Sequence, residues 1–324
     1  MTARKPRIVS IGGGTGLSTL LRGLKKSDAD IAAIVTVTDD GGSSGRLREE
    51  LGALPPGDIR NCMLALSEDE NLMSRLFRFR FQSEGVLHGH SFGNLFLTAM
   101  AGITGDFAEA VKLTSEVLAI KGVIYPSTNS SVGLRAEFQD GTWLDGETRI
   151  TAARKNIRRI QLTPPDAPAL SAAIDAIRSA DAITLGPGSL YTSLIPNLLV
   201  REIADAIRTS PASKIYIQNI MTQPGETEHY LVRDHITALI EHTGGELLFP
   251  NIVLNNALPP DETLKRYQAD GAELVSGNRK QLASMPLEIM ERPLLAEDAG
   301  IIRHDTDLLA GAVFEMAGLV RSHA

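Results

Sequence analysis

The stretch "RIVSIGGGTGLSTLLRGL", residues 7–24, decides how this chain is read. A short apolar run, Arg7 to Ile11, stops at a glycine cluster. Leu17, Leu20, Leu21 and Leu24 then fall at i, i+3, i+4, i+7, the spacing of one buried helix face. A strand that passes through glycines into a helix is the setting of a phosphate loop. Glycines let the backbone come close to a phosphate, and the helix N-terminus supplies unpaired N–H groups and a positive dipole end. Gly13, Gly14, Thr15 and Gly16 are the residues such a loop would use. It is not a Walker A loop, because the Lys-Ser/Thr pair is missing. It also departs from the regular dinucleotide fingerprint, with Leu17 in place of the third glycine. A tight turn without a ligand is the plain alternative, and the strand–helix context favours the phosphate.

The next stretch, "TVTDDGGSSGRLREELGALPPGDIRNCMLAL" (residues 36–66), is less usual. Ile31 to Val37 reads as a second strand, rich in β-branched residues, and Ile59, Cys62, Met63 and Leu66 repeat the helical spacing. Strand–helix–strand at this interval predicts a parallel sheet. Between them lies a second glycine loop opened by two acids. Neighbouring parallel strands bring their C-terminal loops to one crevice, so the two loops are expected to face each other across one ligand. Thr38, Asp39, Asp40, Ser43, Ser44 and Arg46 are its candidate ligand contacts. An acid at the end of the second strand is where a nicotinamide-binding fold holds ribose. Paired acids beside a phosphate could equally hold Mg2+. One of the two is expected to serve turn or capping chemistry instead. Asp58 sits where a helix cap belongs, with a ligand role as its alternative.

Farther along, Arg75 to Ile120 reads as mostly helical, and residues 121–163 as a small β-rich insertion with a turn at Asp140-Gly141. The α/β rhythm then resumes through "DAITLGPGS", "KIYIQNIMTQPGET" and "NIVLNN". The expected fold is therefore α/β: a Rossmann-like, doubly wound, mostly parallel sheet with a helical segment, forming one domain over residues 1–324 that carries the insertion. Gly188, Ser189, Asn219 and Thr222 stand at ends of the later strands, and Asn94 near a helix start; turn or cap chemistry is the alternative for each. Arg303 precedes the apolar helix that Asp305 or Thr306 can cap, and a guanidinium there suits a bidentate grip on phosphate.

Composition narrows the function. The formal net charge is -7 without a long basic run, which disfavours nucleic acid and anionic membranes. One cysteine, Cys62, excludes an internal disulfide and a thiolate cluster, and its helical face marks it as a core residue. His88 and His90 lack a second pair or a zinc-type carboxylate spacing. No apolar run approaches the length of a membrane span, and no signal peptide is legible, so the expected location is cytoplasmic. No nucleophile–base pair is legible either.

Seven motifs in order, "GGGTGLS", "TDDGGSSGRLR", "PPGDIRNCMLAL", "GHSFGNLFLTAM", "LGPGSLYTSLIPNLLV", "MTQPGET" and "IRHDT", resemble those of the gluconeogenesis factor family, the YvcK-like branch of the CofD-like superfamily. The resemblance spans roughly Arg7 to Leu319. It implies a cytoplasmic bacterial protein needed for growth and cell shape on gluconeogenic carbon sources. It also implies binding of UDP-N-acetylglucosamine or a similar nucleotide, without an established reaction, a link to cell-wall synthesis proteins, and "RHDT", with Arg303, as a family motif. The sister branch, 2-phospho-L-lactate transferases, shares the first loop and the acid pair. This chain departs from it at "GGSSGRLR" and "GPGSLYTS", on the substrate side. A nucleotide-sugar-binding regulator is the leading expectation. A Mg-dependent transferase and an NAD(P)-dependent oxidoreductase are its rivals, and an oligomer is open.

Overall fold

The computed structural model describes residues 4–68, 72–82, 84–276 and 282–319. Its centre is a seven-stranded sheet, built from β1 (Arg7–Gly12), β2 (Asp30–Val35), β3 (Val123–Pro126), β7 (Ala182–Leu185), β8 (Ser213–Ile217), β9 (Asn251–Asn255) and β10 (Glu288–Arg292). The remaining strands are β4 (Gly133–Phe138), β5 (Trp143–Asp145) and β6 (Ile157–Thr163), which form a separate antiparallel sheet, and the hairpin β11 (Leu295–Asp298) with β12 (Ile301–His304).

In space the large sheet runs β10-β9-β8-β7-β1-β2-β3, and every neighbouring pair is parallel. The chain leaves β1 toward β2 and β3. It then returns to the other side of β1 and proceeds through β7 to β10. Parallel crossovers are almost always right-handed, so this reversal sends the two sets of helices to opposite faces. Helices Gly14–Leu24, Gly57–Leu66 and Thr306–Met316 pack as one row, with Gly14–Leu24 in the middle. Ser171–Ser179, Ile195–Leu199 and Ile203–Thr209 form another. The fold is the doubly wound α/β arrangement that the strand–helix rhythm predicts.

Local chemistry explains the elements. Buried on both faces, the central strands read as almost unbroken apolar runs: Ile8, Val9 and Ile11 in β1, and Ala33, Ile34 and Val35 in β2, are buried. Leu17, Leu20, Leu21 and Leu24 are fully buried, as their spacing requires. Gly23 has a packing reason. A Cβ there would collide with the carbonyl oxygen of Thr306 and stand 2.8 Å from its carbon, so the first helix and the last meet backbone to backbone at this point. Asp305 caps that last helix, accepting from the amides of Asp307 and Leu308 at 2.9 Å each.

Two expectations need correction. Residues 123–126, read from the sequence as the start of the insertion, are the edge strand β3 of the main sheet. The antiparallel sheet begins only at Gly133. The alternation of Leu134, Ala136 and Phe138 gives that sheet its buried side, but Glu137 is buried as well because Arg158 and Arg159 both donate to it. The other strand, β10, is absent from the sequence reading. "EIMER" at the opposite edge alternates weakly and is only partly buried, so its period carries little signal.

Candidate functional site

In an open parallel sheet, ligands bind outside the carboxyl ends of the strands, where the winding direction reverses. Here that point lies between β1 and β7, and a cleft of about 430 Å3 opens there. Its floor is the turn after β1, Gly13 to Gly16, at the start of helix Gly14–Leu24. The turns after β7 and β8 supply Pro187, Gly188, Ser189, Asn219, Thr222 and Gln223, and the hairpin strand β12 contributes Arg303 and His304. Tyr267 and Asp270 complete the wall from beyond β9.

The turns are locked by their own hydrogen bonds. Gly16 packs against the backbone of Pro187 so closely that a Cβ would stand 2.7 Å from its carbonyl carbon and 3.0 Å from the Gly188 Cα. Gly14 has a different reason to be glycine: its φ is +63°, while the space around its Cβ is open. Buried Asn197 donates to the carbonyls of Gly12 (3.1 Å) and Ser193 (2.8 Å), tying the end of β1 to the helical segment that follows the turn after β7. Asn219 holds both backbone groups of Gly188, accepting from its N–H at 3.1 Å and donating to its carbonyl at 2.7 Å. Thr222 accepts from the Glu273 amide. Gly188 and Asn219 thus shape the wall and spend their best hydrogen-bonding groups on each other.

Beneath the first loop lie carboxyl groups. Asp58 is in the first turn of helix Gly57–Leu66, whose cap position is Pro56. Asp58 therefore does not cap its helix as its sequence position predicts. Its carboxyl instead accepts the Gly14 amide. Burial, followed by the nearby Asp39 charge, pushes this carboxyl up to about 7, against the Gly14 bond and Arg60. Glu147 is pushed up as well, by burial first and then by Asp39, Asp58, Glu226 and Asp40.

The candidate residues separate into two sets. Gly13, Gly14, Thr15, Gly16, Gly188, Ser189, Asn219, Thr222 and Arg303 converge on the cleft. Thr38, Asp39, Asp40, Ser43, Ser44, Arg46 and Asn94 are not among the residues that line it, and the second loop meets the first through Asp39, whose charge acts on Asp58 beneath Gly14. Each has another partner or place. Thr38 pairs with Thr36, and Asp39 accepts its own loop's Gly41 amide. Asp40 accepts the amide and hydroxyl of Thr148, at 2.8 and 2.7 Å, and so fastens the insertion's helix Glu147–Ala152 to the core. Ser43 and Asn94 share a buried network with His90, Ser44 lies buried against Gly57, and Arg46 donates to the His88 carbonyl. Among the described residues no group of three or more His, Cys, Asp or Glu is arranged to hold a metal ion.

Sequence reasoning missed Ser193, Gln223, Tyr267, Asp270 and His304. Gln223 and His304 carry a signal only as members of "MTQPGET" and "IRHDT", motifs already singled out. His304 is buried, and burial pulls its imidazole down to about 4, although the Gln218 carbonyl takes a bond from it; it is a neutral group at ordinary pH. The Arg303 side chain is exposed and makes no hydrogen bond or ion pair among the described residues.

A glycine turn at the switch point, sharing its cleft with an exposed arginine, is the candidate site of this doubly wound protein. Residues 8–295 match the family model described as 2-phospho-L-lactate transferase CofD. The gluconeogenesis factor of Bacillus subtilis is 48% identical over 97% of this chain and 98% of its own length. The gluconeogenesis factor of Listeria monocytogenes is 43% identical, covering 96% of each chain. A crystal structure of a UPF0052 family member from Bacillus halodurans superposes with a TM-score of 0.93 at 44% identity, covering 96% of this chain and 99% of that one. The chain belongs to the CofD family, in the branch of the gluconeogenesis factors. No helix among the described residues is long and apolar enough to cross a membrane.

Proposed function

We propose that the protein binds a nucleotide-sugar of the UDP-N-acetylglucosamine type in the switch-point cleft and acts as a cytoplasmic regulator. In that role it couples gluconeogenic carbon supply to cell-wall precursor use and cell shape through a cell-wall synthesis partner. The observation that carries this reading is that the first loop's helix N-terminus and the unpaired side chain of Arg303 line the same cleft. Two positive groups in one cleft suit a diphosphate. The remaining walls offer Ser189, Thr222, Gln223 and Tyr267, suited to hydroxyls and amides, and the carboxyl group of Asp270. Calorimetry against UDP-N-acetylglucosamine, GDP and NAD(P), with and without Mg2+, tests the reading. Binding of UDP-N-acetylglucosamine without turnover is expected, and no heat with any member of the panel would overturn it.

Arg303→Ala should weaken UDP-N-acetylglucosamine by about one to two powers of ten, the worth of a charge-assisted hydrogen bond. Its melting temperature should stay close to the parent's, since the side chain is exposed. Arg303→Lys should recover part of the affinity, because the charge returns without the fork. Unchanged titrations for Arg303→Ala would return this residue to the solvated surface.

One observation favours a transferase as the second reading. Asp58, pushed up to about 7 and held against the phosphate loop, is poised for proton transfer near neutrality. In that case Mg2+ would arrive with the diphosphate, whose oxygens supplement one or two carboxylates. The nicotinamide alternative has less support, because Asp39 and Asp40 lie outside the cleft lining, where neither meets a ribose.

A further inference from the structure

The wall turns after β7 and β8 contain a hydrogen-bonded chain whose direction is fixed from its buried end. Glu226, almost fully buried, accepts the Tyr191 amide at 3.1 Å, the Thr192 hydroxyl at 2.8 Å and the Gln223 side-chain NH2 at 3.1 Å. A carboxylate can only accept, so the amide of Gln223 must turn its nitrogen inward. Its carbonyl oxygen then faces the cleft side, where it lies 2.7 Å from the Ser189 hydroxyl. That carbonyl can also only accept, so Ser189 must donate its single proton to Gln223. The cleft therefore meets Ser189 through its lone pairs alone.

We propose that Ser189 is a specificity-determining residue that accepts a hydrogen bond from a ligand hydroxyl, with Glu226 and Gln223 as positioning residues that hold it in the accepting state. The proposal rests on the reading of the cleft as a nucleotide-sugar site and assigns one wall of it to the sugar or ribose. A phosphate oxygen has no proton to offer this group. Phosphate is left to the loop at Gly13–Gly16, where the helix N-terminus offers backbone N–H groups, and to Arg303, whose guanidinium can only donate. Free sugar hydroxyls carry the complementary proton, so this wall separates a hydroxyl-bearing nucleotide-sugar from a bare diphosphate. Burial pushes Glu226 up to about 7 while the Thr192 and Tyr191 bonds hold it down, so the carboxylate is the prevailing form at pH 8.

The test is calorimetry at pH 8 with two probes, UDP-N-acetylglucosamine and a dimethyl pyrophosphate esterified once on each phosphate, which carries no proton at that pH. The proteins compared are the parent, Ser189→Ala, Gln223→Leu, the double variant and Glu226→Gln. Ser189→Ala is expected to bind UDP-N-acetylglucosamine about tenfold more weakly and the dimethyl pyrophosphate within about twofold of the parent. Gln223→Leu frees the serine proton and should show the same selective loss. The double variant should lose no more than Ser189→Ala, because the two residues act as one unit. Glu226→Gln offers Gln223 an amide that can donate, lets the chain turn over, and should copy Gln223→Leu. If that variant does not fold, the serine and glutamine pair decides the matter.

An equal loss for both probes in Ser189→Ala, additive losses in the double variant, or no loss for the sugar nucleotide would overturn the inference while leaving the cleft reading intact. A parent that binds neither probe overturns the cleft reading and this inference with it.

Discussion

A Gly16→Ala protein is expected to lose UDP-N-acetylglucosamine affinity by at least about a hundredfold and to be less stable by about 1–3 kcal/mol, the usual cost of forcing one extra carbon into a tightly packed site. The argument is steric and local. The added methyl would collide with the Pro187 carbonyl oxygen and stand 3.0 Å from the Gly188 Cα. Those are backbone atoms, and Gly188 is clamped by Asn219 through two hydrogen bonds. A flexible side chain could swing aside, but this wall has to move as a unit, and it is the wall of the cleft. The neighbouring Gly14 provides the contrast. A methyl there meets nothing closer than 3.8 Å, and the cost is conformational, about 1–2 kcal/mol for an L-residue held at positive φ. Gly14→Ala should therefore lose stability with a smaller loss of affinity. Urea unfolding and calorimetry on both variants separate the two mechanisms. A Gly16→Ala protein with parental affinity would mean that the turns after β1 and β7 do not form one site.

The second large effect is expected at Asp58. Its carboxyl sits under the phosphate loop and is pushed up to about 7 from the ordinary carboxylate value. Above that pH a negative charge lies beneath the bound phosphates. UDP-N-acetylglucosamine does not titrate in this range, since both of its phosphates are esterified, so any pH dependence belongs to the protein. Parent affinity should fall as pH rises through 7. Asp58→Asn keeps an oxygen for the Gly14 amide and removes the charge, so it should flatten that dependence and bind about tenfold more tightly at pH 8. Tenfold is about 1.4 kcal/mol, modest beside the roughly 4 kcal/mol for two unit charges 4 Å apart at an effective dielectric constant of 20.

Stability follows the same sign. Between the unfolded and folded pKa values the native state holds a proton that the unfolded chain has released, so stability declines across that window as pH rises. Asp58→Asn should melt higher than the parent at pH 8 and close to it near pH 4. A parallel fall of affinity in parent and variant would remove Asp58 as the cause. Glu147, also pushed up, would then be the group to replace.

The first loop was legible because its signal is short-range. A strand, glycines and a helical leucine stripe follow one another within residues 7–24, and backbone geometry alone joins them. Arg303 was legible for a similar reason, since it stands just before the capped helix Thr306–Met316. The partner of the first loop was not. Sequence order offers the loop after β2 as the neighbour, and β2 does pair with β1. Strand pairing alone does not open a crevice. The opening lies where successive crossovers leave in opposite directions, and that places the turn after β7 opposite Gly16.

The fate of the second loop follows from the same geometry. Packed behind the first loop, Ser43 and Asn94 serve a buried network, and Asp40 serves Thr148. Asp58 illustrates the converse failure. A carboxylate in a first helical turn reads as local helix chemistry, and only the arrival of Gly14 from the far end of another helix converts it into part of the site. The polarity of Ser189 depends on Glu226, which no pairwise motif would connect to it.

The seat of the last helix on the first carries a consequence for synthesis. Gly23 accepts the Thr306 backbone at a distance that no side chain would allow, and helix Gly14–Leu24 is the one whose N-terminus forms the floor of the cleft. During translation that helix leaves the ribosome before β12 and helix Thr306–Met316. A nascent chain holds the glycine loop long before it holds Arg303 or the helix that braces the loop from behind. A chain stalled or cut before Ile301 would therefore carry the loop without either.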